Sequence, residues 1–205
     1  MSESPPKTFP IDRLRALEDA YLSHDDPIRQ SGFSGGAKRW RAEREIILEA
    51  VDRDGTFLDV GCANGYLLEC LVTWASQRGR KLVPFGLDYG ARLVELARKR
   101  FPGLKPNFFV TNALDWIAPR RFDFVYTLTD CAPPDRLGEF THRLLSTVIE
   151  PGGLLVVGSY GSRTAGIAPV DVARALRECG LEVAGVATAG YPPISSVTWT
   201  RNSMA

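Results

Sequence analysis

The chain has few of the residues on which metal and redox chemistry depends. Its 205 residues include only two histidines and four cysteines, and no two cysteines form a CxxC pair. We therefore expect no zinc site and no other bound metal. Reduced thiols are the simplest reading of the scattered cysteines, which favours a cytoplasmic location.

The chain also has no large excess of positive or of negative charge. The formal net charge is +1, and no long basic block occurs, so a dedicated nucleic-acid binder is not favoured. No apolar run approaches the length of a membrane span, and the first residues lack the pattern of a signal peptide. We expect no membrane partner. Residues 1–10, rich in proline and serine, are predicted to form a disordered tail.

What the chain does have is a regular alternation of strand and helix patterns. We predict an α/β fold in which a mostly parallel seven-stranded sheet carries helices on both faces and ends in an antiparallel C-terminal hairpin. The predicted strands are 56–60, 81–87, 107–111, 122–128, 152–160, 182–188 and 195–200, and the helices between them are 65–78, 91–101, 135–149 and 169–180. This domain is predicted to span 52–205. An N-terminal helical segment at 11–51 precedes it, with helices at 11–22 and 38–51 joined by a glycine-rich loop.

The stretch FLDVGCANGYLLE, residues 57–69, carries the most specific chemical signal. Ligands of open parallel sheets bind beyond the carboxyl ends of the strands. There Gly61 would permit a tight turn, Gly65 would let the backbone approach a ligand, and the following helix would attract an anion. The glycine spacing is G-x-x-x-G, so the dinucleotide fingerprint fails, and no Gly-Lys-Ser/Thr follows, so a P-loop fails as well.

Several motifs in order resemble the class I S-adenosylmethionine-dependent methyltransferases. Asp59 and the glycine turn match the first motif of that family, with Ala63 in place of the middle glycine. Asp88 ends the second strand, NALDW follows the third, and EPGG precedes the fifth. The resemblance covers residues 40 to 200 and implies a Rossmann-like methyltransferase fold.

The resemblance also implies a cofactor, S-adenosylmethionine, with S-adenosylhomocysteine as product. In the family, the second acid accepts the ribose hydroxyls, the first lies near the methionine ammonium, and the segment after the third strand contacts adenine. The cofactor-binding residues implied here are Asp59, Gly61, Cys62, Ala63, Gly65, Tyr66, Leu67, Asp88, Tyr89, Asn112, Ala113, Leu114 and Thr127.

The acceptor side is less clearly marked. The loop after the fourth strand carries DCAPP, which is not the Asn/Asp-Pro-Pro-Tyr/Phe motif of family members that methylate nucleobases or glutamine. Asp130 in this loop is a candidate general base, and a cap for a helix near Asp135 is an equally good reading. Phe33, Trp40 and Tyr160 are candidate substrate contacts.

The N-terminal segment is a candidate lid, since its glycines suit hinges. Any of Arg39, Arg41 and Arg44 could reach the methionine carboxylate. Because little beyond the core fold is present, we favour O- or N-methylation of a small molecule. An RNA or protein methyltransferase and a non-catalytic S-adenosylmethionine-binding protein remain alternatives, and nothing indicates the oligomeric state.

Overall fold

The computed structural model describes residues 11–163 and 165–203, with side chains from Leu14 onward. The predicted tail at 1–10 lies outside the described residues. Seven strands form one sheet in the order β3-β2-β1-β4-β5-β7-β6. They are β1 Gly55–Val60, β2 Leu82–Asp88, β3 Phe108–Val110, β4 Phe122–Leu128, β5 Ile149–Tyr160, β6 Gly185–Ala189 and β7 Ser195–Arg201.

The pairing of the strands confirms the predicted topology. β1, β2, β3, β4 and β5 are parallel, whereas β7 runs antiparallel to β5, and β6 runs antiparallel to β7. The helices are α1 Ile11–Leu22, α2 Ala37–Arg44, α3 Tyr66–Gln77, α4 Ala91–Arg100, α5 Leu137–Arg143 and α6 Val172–Glu178. The strand order reverses direction between β1 and β4, which places a crevice at the carboxyl ends of those two strands.

The sheet is buried on both faces because its central strands are apolar throughout. One face packs against α2, α3 and α4, and there Phe57 of β1 lies 6.4 Å from Phe124 of β4. The other face packs against α5 and α6, and there Phe85 lies 5.0 Å from Phe122. Each such ring, fully buried, contributes about 1.5–3 kcal/mol. This core fixes the strand ends on which the site is built.

Two predicted helices are shorter in the structure than the apolar pattern indicated. The helix predicted at 38–51 ends at Arg44 and continues as a 3-10 helix over Glu45–Ala50. The helix predicted at 135–149 is α5 followed by a π-helical turn over Leu144–Val148. The Asn202 side chain explains the second change, because its amide donates to the carbonyls of Leu145 and Ile149, both at 3.0 Å. A contact from 50 residues away is invisible to a local pattern.

The start of β5 also differs from the prediction. The EPGG segment was expected to form a turn before the strand, but β5 begins at Ile149 and contains it, with a shift of register against β4 between Phe122 and Phe124. α6 begins at Val172, later than predicted, since the Asp171 carboxylate accepts a hydrogen bond from the Arg174 N–H at 3.0 Å and so caps the helix. Of the helices described, none is long and apolar enough to cross a membrane.

Candidate functional site

The glycine turn, residues 61–65, connects β1 to α3 at the crevice. The N–H groups of Gly61 and Cys62 both donate to the Leu87 carbonyl of β2, at 2.8 and 3.0 Å. Three residues of the turn have positive φ, namely Gly61 at +91°, Ala63 at +44° and Gly65 at +73°. A left-handed alanine costs about 1–2 kcal/mol, so the surrounding contacts must hold Ala63 in place.

Asp88, at the end of β2, supplies that hold. Its Oδ2 accepts a hydrogen bond from the Ala63 N–H, and its Oδ1 accepts one from the Gly90 N–H, both at 2.8 Å. Burial raises the pKa of Asp88, while these two backbone donors act to lower it. A carboxylate oxygen has two acceptor positions, so each oxygen retains one. Asp88 therefore shapes the turn and still has capacity to accept hydrogen bonds from a ligand.

Replacing Asp88 by alanine is expected to loosen the turn. Two backbone N–H groups lose their acceptor, and we expect the free energy of unfolding to fall by about 2 kcal/mol. Thermal denaturation measures this change. Asp135→Ala is the matched control because Asp135 is exposed, and it should leave the midpoint unchanged. Equal midpoints for the two variants would contradict the structural role of Asp88.

Asp59 is the most buried acid of the site, with 2% of its surface exposed. It pairs in register with Tyr126 of β4 on one side and with Gly86 of β2 on the other. Within the described part of the chain, no hydrogen bond reaches its carboxylate and no cation pairs with it. Burial, together with the negative charge of Asp88, raises the pKa of Asp59 to about 8. Such a group gains greatly from a cation that enters the site.

A buried arginine, Arg44, lies on the same face of the sheet as Asp59. The guanidinium of Arg44 is 3.9 Å from the Trp40 ring, 4.2 Å from the Phe33 ring and 4.4 Å from the Tyr160 ring. We call these three rings the Arg44 cage. Arg44 is 5% exposed, and its Nη1 has no hydrogen-bond partner in the described structure. Its one acidic neighbour is the Glu43 carboxylate, at 3.9 Å.

Two tyrosines connect Asp59 to the Arg44 cage. The hydroxyl of Tyr126, beside Asp59, lies 2.8 Å from the hydroxyl of Tyr160. Burial raises the pKa of Tyr126 and of Tyr160, while the positive charge of Arg44 acts to lower both. The site thus presents one buried carboxyl group, which a cation would ionise, and one buried guanidinium with an unused donor, on a single face. A zwitterion such as the amino-acid end of a ligand matches this arrangement.

Gly65 has a structural role that the sequence did not indicate. A Cβ placed on it would lie 2.9 Å from Cβ of Ala97 in α4, and its φ of +73° is unfavourable for other residues. Close packing of α4 on the start of α3 therefore explains this glycine without any ligand. The expected use of Gly65, close approach of a ligand to its backbone, stays a prediction.

Asn64, which we did not predict as a site residue, makes three hydrogen bonds at the start of α3. Its Oδ1 accepts from the Tyr66 N–H at 3.1 Å, and its Nδ2 donates to the Pro27 carbonyl at 3.0 Å and to Oε1 of Gln30 at 3.3 Å. The first bond closes an Asx turn just before the helix, and asparagine in such a position is a local signal that the sequence does carry. The other two fasten the N-terminal segment to the glycine turn.

Residues 11–36, which we call the N-terminal strap, lie over the crevice. Glu18 of α1 is 5% exposed, and its Oε1 accepts a hydrogen bond from the Arg92 N–H at the start of α4, at 2.9 Å. Burial and the negative charges of Asp130 and Asp88 all raise the pKa of Tyr21 in α1. The contacts of the strap with Asn64 and Arg92 do not follow from local sequence, because each joins the strap to a distant element.

The substitution Asn64→Asp separates the two functions of this side chain. An aspartate keeps the acceptor for the Tyr66 N–H and suits a helix N-terminus, but it cannot donate to Pro27 or Gln30. We expect unchanged global stability and about tenfold faster amide exchange within residues 23–36, measured by hydrogen exchange with mass spectrometry. Asn107→Asp is the control, because the Asn107 amide donates to Pro84 at the far edge of β2. Equal protection of the strap in all three proteins would show that Asn64 does not hold it.

The segment predicted to contact adenine, residues 112–114, is hydrogen-bonded to α5. Asn112 Oδ1 accepts from the Leu114 N–H at 3.0 Å. Arg143 donates to the carbonyl of Ala113 and, at 2.8 Å, to that of Trp116. Arg143 was not predicted, and nothing in the local pattern marks it.

Several further predicted residues face the protein interior. The Cys62 thiol is buried against Gly86, and the Leu67 side chain packs on the core. The Tyr66 ring lies 5.4 Å from Trp40, which is itself 3% exposed and donates from Nε1 to Sγ of Cys70 at 3.4 Å. These side chains support the walls of the site by packing in the protein interior.

Asp130 lies just beyond the carboxyl end of β4. Thr127 is fully buried there, whereas Asp130 is exposed within the 3-10 turn Thr129–Cys131, and Tyr89, across the crevice, is half-buried. The reading of Asp130 as a helix cap is wrong. No side chain caps the 3-10 turn at Pro134–Arg136 or the α5 helix that follows it.

Comparison with known proteins identifies the fold. Neither a family model nor a curated protein matches the sequence. Among solved structures, the N-methyltransferase NodS of Bradyrhizobium japonicum, in complex with S-adenosylhomocysteine, gives a TM-score of 0.70 at 18% identity over 93% of this chain and 98% of that one.

Two further structures show how widely this architecture is used. The 1,6-didemethyltoxoflavin-N1-methyltransferase of Burkholderia thailandensis gives a TM-score of 0.61 at 17% identity, over 97% of this chain and 92% of that one. The [4+2]-cyclase SpnF gives 0.62 at 14% identity, over 95% and 94%. At these identities the likeness establishes the fold and leaves the reaction to be argued from the site.

Proposed function

We propose that this chain, which has the class I S-adenosylmethionine-dependent methyltransferase fold, transfers a methyl group from S-adenosylmethionine to a small-molecule acceptor by O- or N-methylation. The observation that carries the proposal is the pair formed by Asp59 and Arg44. An unpaired buried acid and an unsatisfied buried guanidinium share one face of the sheet beside the glycine turn. The methionine end of the cofactor has the complementary charges.

The three candidate arginines differ in their exposure and in their ion-pair partners. Arg39 pairs with Glu43 at 3.0 Å and Arg41 with Glu45 at 2.7 Å, and both side chains are 49% exposed. Arg44 points inward and has a donor to spare. We therefore assign the methionine carboxylate to Arg44 and the ammonium to Asp59.

The adenosyl half would lie towards β2 and β3. Asp88 retains acceptor positions for ribose hydroxyls after binding the turn. The segment from Asn112 to Leu114, supported by Arg143, is assigned to the adenine edge. These assignments fit one extended ligand along the carboxyl ends of β1, β2 and β3.

The bound cofactor supplies a methyl group already activated on a sulfonium, so the work of the chain is to position groups and exclude water. The N-terminal strap, fastened to the glycine turn by Asn64 and to the start of α4 by Glu18, would serve the second purpose. Although Asp130 is exposed, neighbouring protein atoms partly desolvate its carboxyl group and raise its pKa, which makes the carboxylate a better proton acceptor for a hydroxyl or amine of the substrate. Tyr160 and Phe33 are assigned to the acceptor side of the same space.

Calorimetry with S-adenosylmethionine, S-adenosylhomocysteine and NAD in parallel tests the cofactor. We expect micromolar binding of the two adenosyl-sulfur ligands and no binding of NAD. Binding of NAD alone, or of nothing, would refute the assignment.

Turnover must be measured separately, because the same site would bind the cofactor in a protein that does not transfer methyl groups. Transfer of label from S-adenosyl-[methyl-³H]methionine to small-molecule fractions would support the enzyme. Label found only in RNA or protein would refute the small-molecule assignment, and binding without transfer to any acceptor would support a non-catalytic binding protein.

A further inference from the structure

A groove of about 290 Å³ opens next to the carboxyl end of β5. We call it the hairpin groove. One wall is the connection after β5, residues 161–163 and 165–169, and the other is the turn between β6 and β7, residues 190–194. Its lining includes Ser162, Arg163, Ile167, Tyr191, Pro192 and Ile194.

Backbone hydrogen bonds build both walls. Ser162 and Ile167 exchange N–H···O bonds of 2.8 and 2.9 Å, so this connection folds back on itself. The Gly161 N–H donates to the Ile194 carbonyl at 2.8 Å, which joins one wall to the other. The Val170 N–H donates to Oγ of Ser159 at 2.8 Å and fixes the far end. The groove is therefore part of the fold rather than a gap between loose loops.

Apolar surface is concentrated around this groove. Tyr191 is 98% exposed, Ile167 59% and Val170 52%, and these are three of the eight large apolar side chains that stand out from the described surface. An apolar concentration at a groove marks a place where a ligand is bound.

One unpaired cation lies within the apolar lining. A Cβ placed on Gly190 would lie 3.2 Å from Nη2 of Arg163, so the guanidinium rests against that glycine. Arg163 is exposed, and within the described residues it has no ion-pair partner, so its guanidinium is available to an anion. Gly190 has a φ of +88°, which favours glycine in this turn. The absence of a side chain there also leaves room for the Arg163 guanidinium.

The groove adjoins the proposed methyl-transfer site. Tyr160, a ring of the Arg44 cage, is the last residue of β5 and pairs with Ser195 of β7. Gly161 and Ile194, the next residues outward, already belong to the groove walls. The groove therefore begins one residue beyond a ring of the Arg44 cage.

From these features we infer the chemical class of the acceptor. Resting on the proposed function, the inference is that the hairpin groove holds a small, largely apolar, planar acceptor whose anionic group pairs with Arg163. The exposed Tyr191 ring and the neighbouring prolines offer flat faces for stacking. A guanidinium pairs with a carboxylate or sulfonate through two parallel hydrogen bonds.

Two fluorescent probes of similar shape test the charge preference. 1-Anilinonaphthalene-8-sulfonate carries a flat, apolar naphthalene ring and an anionic group, and N-phenyl-1-naphthylamine is its neutral counterpart. We expect the full chain to bind the sulfonate at least tenfold more tightly than the amine. Arg163→Glu should remove this preference, and Arg163→Lys should keep part of it. Arg174→Glu makes the same charge change on α6 and should have no effect.

The position of the probe is tested with the opposite wall. Tyr191→Ala should weaken binding of both probes by a similar factor. If Arg163→Glu and Arg174→Glu bind the sulfonate equally, or if Tyr191→Ala changes neither affinity, the inference is overturned. Calorimetry keeps the two proposals apart. Arg163→Glu should bind S-adenosylmethionine as the natural chain does, whereas failure of the natural chain to bind it refutes the proposed function whatever the probes show.

Discussion

Replacing Asp59 by asparagine is expected to stabilise the protein and to abolish its affinity for S-adenosylmethionine. Folding raises the pKa of this carboxyl from 3.8 to about 8, so at pH 7 the folded chain must keep it protonated. Asparagine has the same shape and carries no such cost. We expect the free energy of unfolding to rise by about 2–4 kcal/mol at pH 7, and the melting temperature by about 5–10 °C.

The pH dependence of stability follows from the direction of the shift. A pKa raised by folding contributes stability that is fully present below the unfolded value and is lost as the pH rises through the folded value. The advantage of Asp59→Asn should therefore be absent near pH 4, grow with pH, and level off above about pH 8. Denaturant unfolding at several pH values measures it. A constant difference between the two proteins from pH 4 to 8 would contradict the assigned pKa.

The stability that Asp59 contributes falls as the pH rises, whereas the affinity of the natural chain for the cofactor should increase. Pairing with an ammonium requires the ionised form of Asp59, which is the minor form below pH 8. Between pH 5.5 and 7.5, we expect the natural chain to lose about tenfold in affinity for each unit of acidification. Asp59→Asn should bind at least 100-fold more weakly and without this slope. Calorimetry in two buffers of different ionisation enthalpy should also show proton release on binding to the natural chain.

Replacing Arg44 by methionine is the second substitution expected to have a large effect. The change removes a buried charge with an unsatisfied donor and keeps an unbranched side chain within the Arg44 cage, so stability should be maintained. Loss of the carboxylate contact should weaken S-adenosylmethionine and S-adenosylhomocysteine alike, by about 100-fold. Arg39→Met is the matched control, since Arg39 is half-exposed and already pairs with Glu43.

5′-Methylthioadenosine separates this prediction from a general loss of the site. It lacks both the ammonium and the carboxylate of the cofactor, so its affinity should be the same for the natural chain, Asp59→Asn and Arg44→Met. It retains the ribose, so Asp88→Ala should weaken it. Loss of 5′-methylthioadenosine binding in Arg44→Met would indicate that Arg44 supports the fold of the crevice rather than the carboxylate.

The parts of this molecule that could be predicted are those in which the cause is local. The alternation of apolar strands with amphipathic helices gave the sheet and its hairpin, because burial on two faces requires continuous apolar runs. Asp59 and Asp88 could be placed at strand ends, and parallel strands bring such ends together. The turn formed by Asn64 is also local, since asparagine commonly accepts a hydrogen bond from the backbone two residues on, whereas its hydrogen bond to Pro27 has no local signal.

The parts that could not be predicted depend on the direction of side chains in three dimensions. Three arginines within six residues looked equivalent, and only packing against Phe33, Trp40 and Tyr160 turns Arg44 inward. Arg143 and Tyr21 act on segments far away in the chain. The end of the predicted helix at 135–149 has a similar cause, because the Asn202 amide donates to the Leu145 carbonyl in the last turn and to the Ile149 carbonyl where β5 begins.

The position of β7 between β5 and β6 has a consequence for how the molecule assembles. β6 comes first in the chain, yet in the described sheet it is paired to β7 alone, so it cannot join before β7 has been laid against β5. Pairing of β7 with β5, before or together with the entry of β6, is therefore the step that completes this side of the sheet. Until then β5 is an open edge, exposed to pairing with other chains. The hairpin groove, which needs both partners, comes into existence only with that step.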